Sequence, residues 1–480
     1  MVAKKLLSGI FVVTQILTGC NNERSPKGDA VDFSKPDPDF VVEFADEVPV
    51  VPEGLRISVF DIDVTPPVGS WLAYDSTKNT WDLGLRAKGI VLFGAGKPVV
   101  LCAVDWIRIC NSGYDSFRRS LANAAGTTPD RVSVHTIHQH DAPWCDFDIE
   151  KILAGAGAKL QCFDGAFHRQ AITRLALKVR NSLNETQPVT HIGLGSADVE
   201  KVGSNRRIMG SDGKLMAPRW TATKDSALRA QPEGLIDPEV SLVSFWNNDT
   251  PLAVLSYYAS HPQSYYRTGV ANPDFPGVAR FFRQLEVPDA LHIHFTGAGA
   301  NVGAGKYNDG SHQNRLILAE RLAGGMKKAW ESTKREPVTA GSVRWDFESV
   351  ALPEAEHLAK LERRLKENQD TAMNSSIAMK LAWIERCRSG MKVDVSCLSI
   401  GNAKILHLPG ELFVEYQLAA KSQRKDLFVA MAAYGDNGMG YIGTAEAYEE
   451  GGYETGDPSL VGPGSEKVLM DAINRLLSIR

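Results

Sequence analysis

The sequence predicts a mixed α/β protein with a layered β-sheet core flanked by helices, within a single large domain. Strand-like and helix-like segments alternate from residue 55 onward, and short turn sequences separate two pairs of strands. Hairpins within an alternating pattern indicate a mixed sheet rather than a purely parallel one. Hydrophobic residues make up 43% of the chain and charged residues 23%, which is ordinary for a globular protein.

The strands are predicted from apolar runs or apolar–polar alternation bounded by turn residues. They fall at residues 56–64, 90–93, 99–104, 131–138, 240–246 and 252–259, with hairpin turns at 94–98 and 247–249. Helical periodicity marks residues 114–125, 166–183 and 352–388. The last stretch is predicted to form a solvated helical flank, broken into two helices around Asn374-Ser375-Ser376.

The first 54 residues are expected to stand apart from this fold. Lys4 and Lys5 precede an apolar run that is too short to span a bilayer and ends in Leu17-Thr18-Gly19-Cys20. This ending resembles a bacterial lipobox, which implies a signal peptide at 1–19 and a lipid on Cys20. Residues 20–54, rich in Asn, Ser, Pro, Asp and Glu, are predicted to be a flexible tether. We expect an exported cell-envelope lipoprotein, with an uncleaved anchor or a plain secretory signal as alternatives.

The charge balance excludes one class of partner. Lys and Arg number 53 and Asp and Glu number 57, which gives a formal net charge of −4. A strongly basic nucleic-acid binder is therefore excluded. Seven cysteines are too few for a disulfide scaffold in a chain of 480 residues, and none forms a CxxC pair.

Three histidines occur close together in Val134-His135-Thr136-Ile137-His138-Gln139-His140. Alternate residues of a strand share a face, so His138 and His140 are expected to reach one pocket while His135 points away. Two imidazoles at a strand end are typical of a metal site. The simpler alternative is a pair of satisfied or exposed histidines, and His292 with His294 form the chief rival metal pair.

Two further candidates each have a structural alternative. His261 ends the strand at 252–259, where Pro262 stops the ladder, so it could be an ordinary residue at a strand end. Glu411 follows a Pro-Gly turn and could simply favour a helix N-terminus.

The remaining candidates lie in segments that are usually surface structure. Arg206 belongs to an Arg pair that could face solvent or bind an anionic or carbonyl group. Tyr441 and Tyr453 lie twelve residues apart in glycine-rich loops. The glycine-rich segment 297–303 lacks dinucleotide-binding spacing and could instead line a pocket with backbone donors.

In their order along the chain, these segments resemble the catalytic domain of the neutral (alkaline, non-lysosomal) ceramidases. The residues that carry the resemblance are His138-x-His140-x-x-Pro143, Asn205-Arg206, His261, Pro409-Gly410-Glu411-Leu412 and Gly440-Tyr441 with Tyr453-Glu454. The resemblance runs from about Arg56 to the C-terminus, and it implies a mixed α/β catalytic domain at 55–480.

The resemblance also implies a site and a mechanism. It implies a Zn²⁺ ion held by four residues: His138, His261, Glu411 and Tyr441. Zinc lowers the pKa of a bound water to about 7, so that water can attack an amide carbonyl. Arg206 and Tyr453 would stabilise the oxyanion, and His140 would move a proton toward the leaving amine.

Departures from the family concern the substrate. Asp141-Ala142 stands where the family has Ser-Gly, Arg207 stands where it has Ser, and the chain is expected to lack the family's C-terminal immunoglobulin-like domain. We expect a zinc-dependent, ceramidase-like amidohydrolase of an N-acyl lipid. A zinc-dependent deacylase or esterase for another substrate, such as an N-acyl amino sugar, and a non-catalytic surface-binding lipoprotein are the alternatives.

Overall fold

The computed structural model describes residues 32–367 and 371–478, so the predicted signal peptide at 1–19 and Cys20 lie outside the described residues. The strands are β1 (Arg56–Asp63), β2 (Arg86–Phe93), β3 (Val99–Val104), β4 (Arg108–Ile109), β5 (Val132–Thr136), β6 (Trp144–Cys145), β7 (Gln187–Pro188), β8 (His191–Asp198), β9 (Ser204–Asn205), β10 (Arg207–Met209), β11 (Leu215–Pro218), β12 (Glu239–Asn247), β13 (Thr250–Tyr258), β14 (Leu291–Thr296), β15 (Val302–Gly303), β16 (Lys334–Pro337), β17 (Val343–Val350), β18 (Val393–Ile400), β19 (Ala403–His407), β20 (Glu411–Leu412), β21 (Phe428–Ala432) and β22 (Tyr441–Ile442).

Helices separate and cover these strands. They are α1 (Asn111–Ala125), α2 (Asp148–Gly155), α3 (Gly165–Ser182), α4 (Ser226–Ala230), α5 (Asp274–Glu286), α6 (Gln313–Glu331), α7 (Leu361–Glu367), α8 (Thr371–Arg388), α9 (Val414–Gln423), α10 (Ala445–Glu450) and α11 (Ser465–Ser478). Short 3₁₀ turns occupy Pro129–Arg131, Leu183–Glu185, Ala340–Ser342 and Glu356–Lys360. Within the described ranges, no helix is both long enough and apolar enough to cross a bilayer.

Three larger sheets form the core, and each mixes parallel and antiparallel strands. Their strand orders are β5-β3-β2-β1-β7, β14-β13-β12-β8-β16 and β17-β18-β19-β21. The two predicted hairpins join β2 to β3 and β12 to β13 as antiparallel pairs. β3–β5, β13–β14 and β19–β21 are the parallel pairs of these sheets. The predicted mixed α/β class is therefore confirmed.

Apolar residues of all three sheets pack into one shared cluster. Leu101, Phe295 and Ile405, one from each sheet, belong to it and are fully buried. A second cluster fills the space under helices α1, α3, α8 and α11, and a third lies under α5 and α6. The sheets are therefore covered by helices, as layered α/β architecture requires.

The sheets meet where β5, β14 and β21 end. The Thr296 hydroxyl donates to the Ile137 carbonyl over 2.8 Å. The Ala433 N–H donates to the Thr296 carbonyl over 2.9 Å, and the Thr136 N–H donates to the Tyr434 carbonyl over 3.0 Å. These hydrogen bonds fix the loops after β5, β14 and β21 against one another. Proteins with α/β folds commonly bind ligands at this position, beyond the carboxyl ends of the strands.

The helical flank differs from the predicted one. α7 ends at Glu367 and α8 begins at Thr371, and Asn374-Ser375-Ser376 falls inside α8 rather than at a helix boundary. Asn374 and Ser375 are buried, and the Ser375 hydroxyl donates to the Gln161 carbonyl over 2.8 Å. The polar residues that suggested a helix break are therefore buried within α8, where Ser375 makes a tertiary hydrogen bond. Ile377, Trp383 and other apolar residues of α8 join the core, so α8 is not a solvated flank.

Part of the predicted tether at 20–54 also packs onto the domain. Phe40 is buried in the core, and its carbonyl accepts a 2.6 Å hydrogen bond from the Ser116 hydroxyl of α1. Phe33 packs against the same core, and its carbonyl accepts from Arg169 of α3 over 2.9 Å. Phe44 lies under the Arg180 guanidinium at 4.4 Å. Three spaced aromatic residues hold this polar stretch against α1 and α3.

Candidate metal centre

His138 and His140 lie in the loop after β5, where the sheets meet. β5 ends at Thr136, so strand alternation does not position them as expected. His138 has a left-handed backbone with a φ of 69°. Its N–H donates to the Trp106 carbonyl over 3.1 Å, and its Nδ1 donates to the Ile107 carbonyl over 2.7 Å. Because Nδ1 holds the proton, Nε2 presents its lone pair to the pocket.

His261 enters the pocket from the loop after β13, against the glycine-rich segment 297–303. Its N–H donates to the Val302 carbonyl over 2.8 Å. A Cβ on Gly299 would lie 2.6 Å from the backbone nitrogen of Ser260, so only glycine permits this approach. The segment therefore supports the backbone around His261.

Glu411 and Tyr441 stand side by side because they are register partners in the short parallel pair β20–β22. Each follows a glycine, Gly410 or Gly440, whose φ is 67°. A Cβ on Gly440 would lie 2.2 Å from the Pro458 carbonyl oxygen. Both turns depend on glycine for this backbone conformation.

Three imidazoles and one carboxylate converge at the centre of the pocket. One ligand atom from each of His138, His140 and His261 lies within 4.8 Å of the other two. The Nε2 atoms of His140 and His261 are 3.0 Å apart. Nε2 of His138 lies 3.2 Å from Oε2 of Glu411. This cluster places several lone pairs face to face in a buried space.

The electrostatics of the cluster suit a divalent cation. Burial lowers the pKa of His140 and His261 well below its usual range. Burial would raise the pKa of Glu411, but His138 and Arg108 lower it to about 2. Neither oxygen of Glu411 has a hydrogen bond within the described residues. Neutral imidazoles and an ionised carboxylate are ligand types that zinc takes, so the donor set fits it.

Tyr441, Arg206 and Tyr453 form one wall of the pocket. Arg206 donates to the Tyr441 hydroxyl over 3.2 Å and to the Ala300 carbonyl over 3.0 Å. The Tyr441 ring stacks parallel to His261 with centroids 6.5 Å apart, and Tyr453 lies edge-on to Tyr441 at 5.6 Å. Burial raises the pKa of Tyr441 well above its usual value.

All seven site residues predicted from the sequence thus lie in or against one pocket. They are His138, His140, Arg206, His261, Glu411, Tyr441 and Tyr453. Their individual roles stay predictions.

Three residues at the pocket were not singled out from the sequence. Arg108 lies 3.2 Å from Oε1 of Glu411, and the Tyr74 hydroxyl lies 3.4 Å from Nδ1 of His140. Tyr434 stacks on His138 at 4.6 Å, and its buried hydroxyl has no partner within the described ranges. Of these three residues, only Arg108 has a recognisable signal in the sequence, because it is a charged residue soon after the buried strand β3.

The rival pair His292 and His294 does not form a comparable centre. Nδ1 of His294 pairs with the Ser256 hydroxyl at 2.9 Å. Burial lowers the pKa of both His292 and His294 to about 3. Among the described residues, His138, His140 and His261 form the group of metal-ligating side chains that converges on one point.

Comparisons with known proteins agree on the fold. No protein-family model matches the sequence, and no curated protein matches it significantly. The solved neutral ceramidase from Pseudomonas aeruginosa superposes with a TM-score of 0.65 at 15% identity, covering 90% of this chain and 75% of that one. A ceramidase complexed with C2 superposes with a TM-score of 0.63 at 15% identity, covering 89% of this chain and 75% of that one. The chain therefore has a ceramidase-like fold.

A cavity of about 570 Å³ adjoins the cluster. Tyr74, Arg108 and Tyr453 line it, and these residues contact His140, Glu411 and Tyr441 respectively. Apolar and polar side chains both contribute to the rest of its wall. The cavity is large enough for part of a small-molecule substrate.

Proposed function

We propose that this protein is a zinc-dependent hydrolase that cleaves the amide bond of an N-acyl lipid. The observation that carries the proposal is the buried convergence of His138, His140 and His261 with Glu411. The fold shared with solved ceramidases adds support, because those proteins are named for the cleavage of an N-acyl lipid. A binding protein without catalysis would have no need to bury an ionised carboxylate among imidazoles.

Four residues would hold the metal: His138, His261, Glu411 and Tyr441. Bound zinc would polarise the amide carbonyl and make a water nucleophilic near neutral pH. Within the pocket, the carbonyl of Ile107 fixes which nitrogen of His138 is a ligand. Arg108 holds the second oxygen of Glu411 in place. Both contacts orient ligands before the metal binds, which favours a single coordination geometry.

His140 is the proposed proton carrier. Its Nε2 faces the pocket centre, while its Nδ1 lies 3.4 Å from the Tyr74 hydroxyl. A proton taken at Nε2 from the attacking water would be passed to the leaving amine, and Tyr74 would keep the ring oriented.

Arg206 and Tyr453 are the proposed partners of the substrate oxygen. The Arg206 guanidinium is buried, and its Nε has no hydrogen-bond partner within the described residues, although Oε1 of Glu454 lies 3.8 Å from it. The Tyr453 side chain is 43% exposed at the rim, so it can contact an entering substrate. Donors that are fixed before reaction stabilise the negative charge that develops on a carbonyl oxygen.

We place this activity at the cell envelope. The lipobox-like sequence that ends in Cys20 supports export and lipid attachment at that residue. Because Phe33 and Phe40 already pack on the domain, the spacer between membrane and enzyme would be limited to the residues before them. Labelling with a radioactive fatty acid should mark the wild-type protein and not a Cys20→Ala variant.

Release of fatty acid from ceramide tests the proposed activity. The zinc-loaded protein should hydrolyse an N-acyl lipid, and His138→Ala should lose at least about 100-fold in kcat/KM. His191→Ala removes the histidine at the start of β8, which does not belong to the cluster, and is the matched control, so it should retain activity. An N-acyl glucosamine and an acyl ester, assayed beside ceramide, separate the alternative substrates. Hydrolysis by the His138→Ala variant at the wild-type rate would contradict the proposal.

A further inference from the structure

The cavity beside the histidine cluster carries an excess of positive charge. Among the described residues, four cationic side chains line it and one carboxylate, that of Asp457, opposes them. The cationic residues are Arg108, Arg267, Arg364 and Lys380. They come from four separate parts of the chain, namely β4, the loop after β13, α7 and α8. A cavity that only received hydrocarbon would have no use for this charge.

The carboxylate of Asp457 cannot balance the cations around it. It accepts from Arg364 over 3.0 Å and from Lys380 over 2.5 Å, so one negative charge is shared by two positive ones. Lys380 is largely buried and also donates to the Asp457 carbonyl over 3.0 Å, but this neutral acceptor does not balance its charge, which stays costly without a further anionic partner.

The other two cationic side chains, Arg267 and Arg108, can each bind a further anionic group. Arg267 packs over the Tyr74 and Tyr266 rings at 5.3 and 5.5 Å and forms no ion pair within the described residues. Arg108 contacts Glu411 through one terminal nitrogen, and its buried Nε has no partner in the described part of the chain. When Glu411 binds a metal, less of its charge is available to Arg108.

Asn437 adds an independent observation. Its side chain lines the same cavity and is fully buried. Within the described ranges, neither its amide nitrogen nor its amide oxygen has a hydrogen-bond partner. Burying an amide without a hydrogen-bond partner is unfavourable, so an unpaired amide in the cavity wall points to a polar ligand there.

We infer that this cavity binds an oxyanion carried by the substrate, so that the amide cleaved at the cluster belongs to an acylated compound with an acidic group. This inference rests on the proposed hydrolase function and names its substrate class. A carboxylate and a phosphate share the chemistry that Arg, Lys and an amide N–H recognise. Tyr74, Arg108 and Tyr453 join the cavity to the cluster, so acid and scissile amide fit on one molecule.

Three amides with the same dodecanoyl chain test the inference. N-dodecanoylserine carries a carboxylate, N-dodecanoyl-serinol has an alcohol in its place, and N-dodecanoyl-phosphoethanolamine carries a phosphate. The kcat/KM of at least one acid should exceed that of the alcohol by about 10-fold or more, which is the contribution of one charge-assisted contact. The preferred acid shows whether the pocket suits a planar or a tetrahedral oxyanion. Equal kcat/KM values for all three amides would overturn the inference.

Two neighbouring arginines of α7 supply a matched pair of variants. Arg364 lines the cavity, whereas Arg363 lies outside it with its side chain 66% exposed. Arg364→Gln should reduce the preference for the acid several-fold through KM, and Arg267→Gln should do the same. Arg363→Gln should leave the preference unchanged. If Arg363→Gln and Arg364→Gln reduced the preference for the acid equally, only the overall charge would matter. That result would overturn the inference that this cavity binds an oxyanion.

Binding without turnover separates this inference from the proposed function. Calorimetry with the chelator-treated protein measures the affinity for N-dodecanoylserine and for N-dodecanoyl-serinol. If the acid bound more tightly than the alcohol but the zinc-loaded protein hydrolysed none of the amides, the oxyanion-binding cavity would be supported and the proposed hydrolase activity rejected. If the amides were hydrolysed but acid and alcohol bound with equal affinity, the proposed hydrolase activity would be supported and the oxyanion-binding cavity rejected.

Discussion

Nε2 of His138 lies 3.2 Å from Oε2 of Glu411, and both side chains are almost completely buried. The Ile107 carbonyl accepts from Nδ1 of His138, so the lone pair on Nε2 faces the carboxylate. Two such groups repel each other, and Arg108 contacts only the other oxygen of Glu411, at 3.2 Å from Oε1. With His261 and Tyr441 beside them, the proposed divalent cation resolves this repulsion and explains why the chain tolerates the pair.

The first prediction separates a proton carrier from a ligand. His140→Gln should keep bound zinc but lower kcat by about 10² to 10⁴-fold, the usual contribution of a general acid–base. Metal analysis and steady-state kinetics on the same preparation measure both quantities. Tyr74→Phe removes only the hydroxyl near Nδ1 and should lower kcat less. Loss of zinc in His140→Gln would instead place His140 among the ligands.

The second prediction compares adjacent arginines. Arg206 contacts Tyr441 at the pocket, whereas Arg207 donates to Glu450 over 2.9 Å and to Glu454 over 3.2 Å away from the cluster. Arg206→Lys should lower kcat by about 100-fold or more, because it removes a fixed donor to the substrate oxygen.

Arg207→Lys should mainly lower the melting temperature. Steady-state kinetics at a temperature where each variant is folded, together with thermal unfolding, distinguish the two effects. Similar kcat values for both variants would argue against a role of Arg206 at the substrate oxygen.

The third prediction concerns the segment expected to be a tether. Phe40 is 7% exposed and packs edge-on against Phe33 and Phe147. Phe40→Ala should lower the free energy of unfolding by about 3 kcal/mol, as large-to-small core substitutions do. Val50 in the same segment is 96% exposed, so Val50→Ala should change the free energy of unfolding by less than about 0.5 kcal/mol. Equal denaturation midpoints for both variants would show that the segment does not pack on the domain.

The fourth prediction is a pH dependence of stability. Burial lowers the pKa of His168 to about 3, and neither ring nitrogen has a partner within the described residues. The unfolded chain protonates this ring near pH 6.5, so folding stability falls as pH drops from about 6.5 toward 3. Relative to His168→Leu, the wild-type protein should lose about 3 kcal/mol of unfolding free energy between about pH 7 and pH 4.

Urea unfolding across this pH range measures the difference. The other buried histidines are present in both proteins and cancel in the comparison. His312 is exposed, and His312→Leu therefore supplies the control, which should follow the wild-type curve. Parallel curves for wild type and His168→Leu would contradict the assignment of acid sensitivity to the buried ring.

The sequence predicts elements well where local pattern decides them. The six strands and both hairpins follow from apolar runs and turn residues, because burial on one or both faces of a sheet imposes those patterns. Asn374 and Ser375 mislead because they make a tertiary contact, which no local pattern reveals. In the predicted tether, the spacing of Phe33, Phe40 and Phe44 was the available signal, within an otherwise polar composition.

The candidate site was predicted partly for the wrong reason. His138 and His140 share a pocket because of a left-handed residue after β5, not because of strand alternation. Glu411 was open to interpretation as a helix-terminus residue, yet α9 begins only at Val414. Tyr74 could not be predicted, because it acts through a partner far along the chain, and Arg108 left only the signal of a charged residue soon after a buried strand.

The zinc content of the purified protein tests the central claim most directly. After loading with zinc and removal of free metal, elemental analysis should find about one zinc per chain in the wild-type protein. It should find less than about 0.1 in His261→Ala, because loss of one of four ligands sharply weakens a zinc site. A wild-type ratio near zero, or the same ratio in both proteins, would contradict the claim that these side chains hold one divalent cation.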